Sequence, residues 1–119
     1  MAVINGPSQC VVSGNTEAID ALGQRLAADQ VECCRLHTSH AFHSPMMQPI
    51  VEAFAERVAR TVLNSPQLPF LSNVTGTWIT PEQATSPVYW ADHLRQTVRF
   101  SDCLRTLMQE PNRVLLEVG

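Results

Sequence analysis

Three of the four histidines of this chain lie in the stretch 37–43, at His37, His40 and His43, and Cys33 and Cys34 stand just before them. Imidazole and thiol are the side chains that bind zinc or exchange protons near neutral pH. As zinc ligands they are badly spaced. Steps of three in an extended segment alternate faces, and no HxxxH or CxxC pair sets two ligands side by side. The spacing disfavours a small metal-binding module, a third reading that stoichiometric zinc in the purified protein would reveal, and no metal is expected. As a proton acceptor His43 stands apart, because it immediately precedes Ser44-Pro45, a natural N-cap followed by a proline suited to the first helical position. The positive end of the helix dipole opposes a second proton on a nearby imidazole and favours the neutral base.

A base serves a nucleophile, and none is evident. There is no G-x-S-x-G elbow; Gly6-Pro7-Ser8-Gln9-Cys10 lacks the second glycine and falls in a turn. Ser39 and Ser44 are too close in sequence to His43 to be presented from a separate strained turn, and read as a loop hydroxyl and a helix cap.

The elements that must position these residues follow from periodicity. Val3-Ile4 and Cys10-Val11-Val12 flank the turn Asn5-Gly6-Pro7-Ser8 and predict a hairpin. Asn15 caps a helix with Ile19, Leu22 and Leu26 on one face, ending near Asp29. The run 31–36 (VECCRL) reads as a strand, so the first 37 residues have the order β-β-α-β. From Ser44 the apolar positions Met47, Ile50, Val51, Phe54 and Val58 predict the strongest helix. A buried strand over 68–74 closed by Thr75-Gly76, a helix opened by Ser86-Pro87 and running to Arg95, a helix capped near Ser101 and stopped by Pro111, and a strand over 114–118 complete the pattern.

Composition narrows the class. With 119 residues, 45% hydrophobic and 16% charged, the chain suits one globular unit rather than a disordered or fibrous one. All eight basic residues are arginine, against eleven acids, for a net charge of -3. This is the reverse of a nucleic-acid footprint. No apolar run reaches the roughly 18 residues of a membrane span, and the first twenty residues do not read as a signal peptide. A cytoplasmic protein is expected, with Cys10, Cys33, Cys34 and Cys103 reduced and mostly buried.

Four stretches, taken in order, resemble one family. They are Ser39-His40-Ala41-Phe42-His43-Ser44-Pro45-Met46-Met47; Leu71-Ser72-Asn73-Val74-Thr75-Gly76; Tyr89-Trp90 with His93-Leu94-Arg95-Gln96-Thr97-Val98-Arg99-Phe100; and Leu115-Leu116-Glu117-Val118-Gly119. Together they look like the acyltransferase domain of modular type I polyketide synthases, with the malonyl-CoA transacylases of fatty acid synthesis as nearest relatives. The resemblance implies an α/β fold of which this chain is the C-terminal portion: 1–37 as part of a ferredoxin-like small subdomain, and 38–119 as the C-terminal part of a hydrolase-like α/β subdomain. It implies that a Ser-His dyad moves a malonyl unit from coenzyme A to the phosphopantetheine thiol of an acyl carrier protein, with no cofactor bound covalently to this chain. His43 matches the dyad histidine. The backbone carbonyl of His93 is placed as the acceptor of its Nδ1 proton, with the His93 side chain itself indifferent. His40, Ala41 and Phe42 match the malonyl-selecting form of the motif, and Phe42 fills the volume an α-methyl group needs. The dyad serine and the arginine that pairs with the malonyl carboxylate are expected upstream of residue 1. The partners implied are the carrier protein, the N-terminal remainder of the domain and adjacent synthase domains, with no nucleic acid and no membrane. The isolated chain is expected to be inactive, and a non-catalytic docking piece for a carrier protein is the rival from another class.

Overall fold

The computed structural model describes residues 1–118. Its N-terminal part is a short antiparallel hairpin, β1 (Val3–Ile4) and β2 (Cys10–Val11), in the register Val3 opposite Val11 and Ile4 opposite Cys10. The turn between them is closed by the amides of Asn5 and Gly6 on the carbonyl of Gln9. A distant residue covers the other edge of β1: Val98 donates to Ala2 O at 2.8 Å and accepts from Ile4 N at 2.9 Å. The hairpin is thereby tied to the far end of the chain.

Helix α1 (Thr16–Ala28) begins where the sequence places it, with Asn15 Oδ1 accepting from Ala18 N at 2.8 Å. A 3₁₀ turn (Pro45–Met47) capped by Ser44 leads into α2 (Gln48–Val58). Ser44 is buried and its hydroxyl works twice, accepting from Met46 N and donating to Ala41 O at 2.7 Å. Then come α3 (Pro81–Ala84), α4 (Pro87–Asp92) and α5 (Phe100–Leu107). Periodicity does not announce the four-residue α3, although Thr80 and Gln83 form a complete capping box around it. Helix α2 packs on α4, and the small core lies among Ala2, Met47, Ala84, Ala91 and Cys103.

Three expected strands are absent among the described residues. Residues 31–36 carry no regular structure and are exposed throughout. The stretch 68–74 makes a single bridge, Leu71 with Trp78, inside a tight turn rather than a buried strand. Residues 114–118 are exposed and irregular, and Gly119, the last residue of that motif, lies outside the described residues. The reason is common to all three: apolar alternation marks a segment fit for a sheet, but a strand exists only where a neighbour completes its hydrogen bonds. The cysteine expectation fails for the same cause, since Cys10, Cys33 and Cys34 are exposed and only Cys103 is buried.

The chain exposes 9051 Å², whereas a folded monomer of this length exposes about 6,400 Å². Its radius of gyration is 16.7 Å, against about 13.5 Å for a compact domain. Much of the excess is apolar. Met46, Ile50 and Phe54 recur at helical spacing as an exposed stripe, while Met47, Val51, Ala55 and Val58 occupy less exposed positions at the same spacing. Among the described residues no helix is long and apolar enough to cross a membrane.

Candidate functional site

His43 lines a cleft of about 210 Å³ together with Ser13, Ser44, Arg95, Gln96 and Thr97 among others. Its backbone has φ +58, the left-handed region that few residues other than glycine adopt. The turn after α4 holds it there. His43 N donates to Leu94 O at 2.8 Å, and the ring atom Nδ1 lies 2.9 Å from Gln96 O. A carbonyl oxygen can only accept, so this contact assigns the proton to Nδ1 and leaves the Nε2 lone pair free.

The acceptor is therefore the carbonyl of Gln96, not that of His93 as the family resemblance implies. The cause is local. Helix α4 ends at its cap, His93, and the chain then curls, with Leu94 N bonded to Ala91 O and both Arg95 N and Gln96 N bonded to Asp92 O. That curl leaves the carbonyls of Leu94 and Gln96 outside the helix and facing His43. A backbone acceptor carries no residue signature, so no motif could have singled out Gln96.

The His93 side chain stacks on Trp90, with centroids 6.0 Å apart and planes at 25°, and meets the edge of Tyr89 at 5.7 Å. Burial, and after it the charge of nearby His43, hold its proton affinity below the ordinary imidazole range.

Residues 38–42 make a compact approach to His43. Thr38 Oγ1 and Phe42 N both donate to His40 O, and the His40 ring meets the Phe42 ring edge-on at 6.1 Å. Ala41 is half-buried, and Phe42 is 41% exposed. His40, Ala41 and Phe42 do not line the cleft. Among the described residues no group of three or more His, Cys, Asp or Glu side chains could hold a metal ion.

The hydroxyls in the cleft are already engaged. Ser13 donates to Phe42 O at 2.7 Å, Ser44 to Ala41 O at 2.7 Å and Thr97 to Met1 O at 2.8 Å. Each gives its proton to a main-chain carbonyl and none to His43. The imidazole is oriented by the main chain, and none of these three hydroxyls donates to it.

A second cluster ties the 72–76 turn to α4 and α5. Ser72 is 1% exposed, and its Oγ accepts from Val74 N, Thr75 N and, at 2.6 Å, from the Tyr89 hydroxyl of α4. The buried Cys103 thiol of α5 donates to Ser72 O at 3.3 Å; burial, and next the neighbouring Asp102, push its pKa up. Thr106 donates to Gly76 O at 2.8 Å. The 72–76 turn is thus the anchor for both α4 and α5.

Residues 1–119 match the family model of the acyl transferase domain. Over all 119 residues the chain is 37% identical to a component of the phenolphthiocerol/phthiocerol polyketide synthase of Mycobacterium tuberculosis, covering 8% of that protein. Among solved structures it superposes on the acyl transferase domain of SpnD, in complex with 2-(pent-4-yn-1-yl)malonyl, with a TM-score of 0.88 and 41% identity over 91% of this chain and 26% of that one. For the acyl transferase domain of ZmaA the TM-score is 0.79 and the identity 44%, over 92% of this chain and 24% of the other. The chain therefore spans under a tenth of the length of that synthase component and about a quarter of the solved chains.

Proposed function

This chain belongs to the acyl transferase domain family, in the form found in polyketide synthases, with part of that domain's α/β fold, and from that premise we propose that it supplies the general base of a malonyl transfer. The observation that carries the reading is the pairing of His43 Nδ1 with Gln96 O, which puts the ring proton on Nδ1 and leaves Nε2 as the basic nitrogen.

In the proposed first half-reaction a serine of the remaining domain attacks the thioester carbonyl of malonyl-CoA and gives its proton to Nε2. The ring is then an imidazolium, and the Gln96 carbonyl on Nδ1 stabilises that charge without accepting a proton. Collapse of the tetrahedral adduct breaks the C–S bond; the coenzyme A sulfur leaves and recovers the proton from Nε2. The second half-reaction runs the same steps in reverse order. The phosphopantetheine thiol of an acyl carrier protein yields its proton to Nε2 and attacks the acyl-serine ester; the ester C–O bond breaks, and the departing serine oxygen takes that proton back from Nε2. In the complete domain Phe42, which lies outside the cleft that this chain forms by itself, restricts the space beside the acyl α-carbon, a methyl-sized difference worth about 1–3 kcal/mol of selectivity. The reaction takes place in the cytoplasm beside the other domains of the synthase, and His40 and Ala41 set the path of the segment that presents Phe42.

The test uses the complete acyltransferase domain that contains this chain. His43→Ala is expected to lower acyl transfer at least about 100-fold, the usual cost of losing a general base, with the thermal transition unchanged. Turnover near that of the wild type removes His43 from the mechanism. The 119-residue chain alone, incubated with malonyl-CoA, is expected to show no mass increase, because the three hydroxyls lining its cleft are committed elsewhere. A stoichiometric malonyl adduct on the chain alone would overturn that expectation.

A further inference from the structure

The peptide unit that joins Phe42 to His43 is held at both of its polar ends. Its oxygen accepts from Ser13 Oγ at 2.7 Å, and its N–H donates to Leu94 O at 2.8 Å. The two partners belong to different parts of the fold. Ser13 follows β2 and precedes α1, 29 positions before Phe42, whereas Leu94 lies in the curl after α4.

This matters because φ of His43 is the rotation of the residue against that very peptide plane. At +58 it is a conformation that non-glycine residues keep only where the surroundings enforce it. Fixing the plane at one end leaves it free to turn about the remaining bond; fixing it at both ends does not. With Nδ1 on Gln96 O as a third hold, the imidazole has a defined position and direction. Remove one pin, and the backbone is free to relax towards negative φ, carrying Nε2 with it.

Resting on the reading of His43 as the base, we propose that Ser13 is a positioning residue for acyl transfer: its hydroxyl clamps the Phe42–His43 peptide and so fixes where Nε2 points. Ser13 lines the same cleft as His43, yet it is not the nucleophile, since its proton is spent on the Phe42 carbonyl. The role is invisible in the sequence, where Ser13 is one residue of the Val-Ser-Gly segment between β2 and α1.

The experiment compares Ser13→Ala, Ser13→Thr and His43→Ala in the complete domain, with kcat and KM for malonyl transfer measured separately. Ser13→Ala is expected to lower kcat by about 10- to 100-fold, the scale of a misplaced catalytic group, while KM stays within about twofold. Ser13→Thr, which keeps the hydroxyl, is expected to recover most of kcat. A merely structural role predicts no such split and no hydroxyl-dependent rescue. Should Ser13→Ala fail to fold, Ser13→Cys, similar in size but a poor donor, is expected to show the same loss in kcat. Full kcat in Ser13→Ala with an inactive His43→Ala sinks the clamp and spares the base. Full kcat in both sinks the base and the clamp together. An acyl adduct mapped to Ser13 by peptide mass also overturns the proposal, because it makes Ser13 the nucleophile.

Discussion

Replacing Ser72 by alanine removes one oxygen and leaves three donors without their acceptor: the amides of Val74 and Thr75 at 3.2 and 3.1 Å, and the Tyr89 hydroxyl at 2.6 Å. The side chain is enclosed, at 1% exposure, so alanine fits and the loss is polar rather than steric. A buried donor left unsatisfied costs about 1–3 kcal/mol. Val74, Thr75 and Tyr89 are only partly buried, and water reaches part of the lost bonding, which places each at the low end. The expected cost is about 3 kcal/mol for Ser72→Ala. Tyr89→Phe deletes one donor and leaves Ser72 with its two amides, so about 1 kcal/mol is expected. The two changes share one hydrogen bond, and the double variant should therefore cost less than the two single costs combined, by about 1 kcal/mol. Urea denaturation of the complete domain, followed by the fluorescence of Trp90 beside Tyr89, measures all three. If Ser72→Ala costs no more than Tyr89→Phe, the turn is held by its backbone alone and the anchor argument is wrong.

Three further outcomes are expected. Gly76 has φ +76, and a Cβ there would lie 2.6 Å from Asp102 Cβ, itself rooted in α5; Gly76→Ala should destabilise the domain by about 2–4 kcal/mol, and a loss under about 1 kcal/mol in the same urea assay would show that α5 gives way freely. Phe42→Ser should raise methylmalonyl use relative to malonyl, within the modest range a methyl group commands; a competition assay with both thioesters that returns an unchanged product ratio reduces Phe42 to packing. Because burial and then the His43 charge hold folded His93 below the ordinary value of 6.5, the unfolded chain takes up that proton first. The share of stability owed to neutral His93 is therefore intact above pH 6.5 and lost as pH falls below it. His93→Gln should flatten that acid slope, and equal slopes in the two proteins would exclude His93 as its source.

What could be read from the sequence was local. Asn15 and the Ser44-Pro45 pair announce helix starts because a cap acts within three or four residues, and both act as read. That His43 stands directly before a helix cap could be read for the same reason. The partner of its Nδ1 could not, since Gln96 contributes a carbonyl that any residue would contribute, and its placement depends on how the chain curls after α4. The runs 31–36, 68–74 and 114–118 carry genuine strand patterns, but pattern expresses which face is apolar, not whether a neighbour is at hand. Ser72 gives no sign of its role as a small polar residue inside an apolar stretch, although such a residue, if enclosed, must find partners. Thr80 with Gln83 is a legible capping signal, too short in its helix to show a period.

The bond between Met1 and Thr97 closes a loop of 96 positions, and Val98 bonds on both sides of Val3 in the same closure. Joining ends so far apart costs about 4 kcal/mol of chain entropy before any contact repays it. Synthesis at about 5–20 residues per second separates the appearance of the two ends by about 5–20 s. During that interval Leu94 and Gln96 do not yet exist, so the emerging His43 has neither its amide nor its ring held. The imidazole is set in position only once the far side of its own cleft has been translated, and a nascent chain interrupted before that point carries the histidine without its orientation.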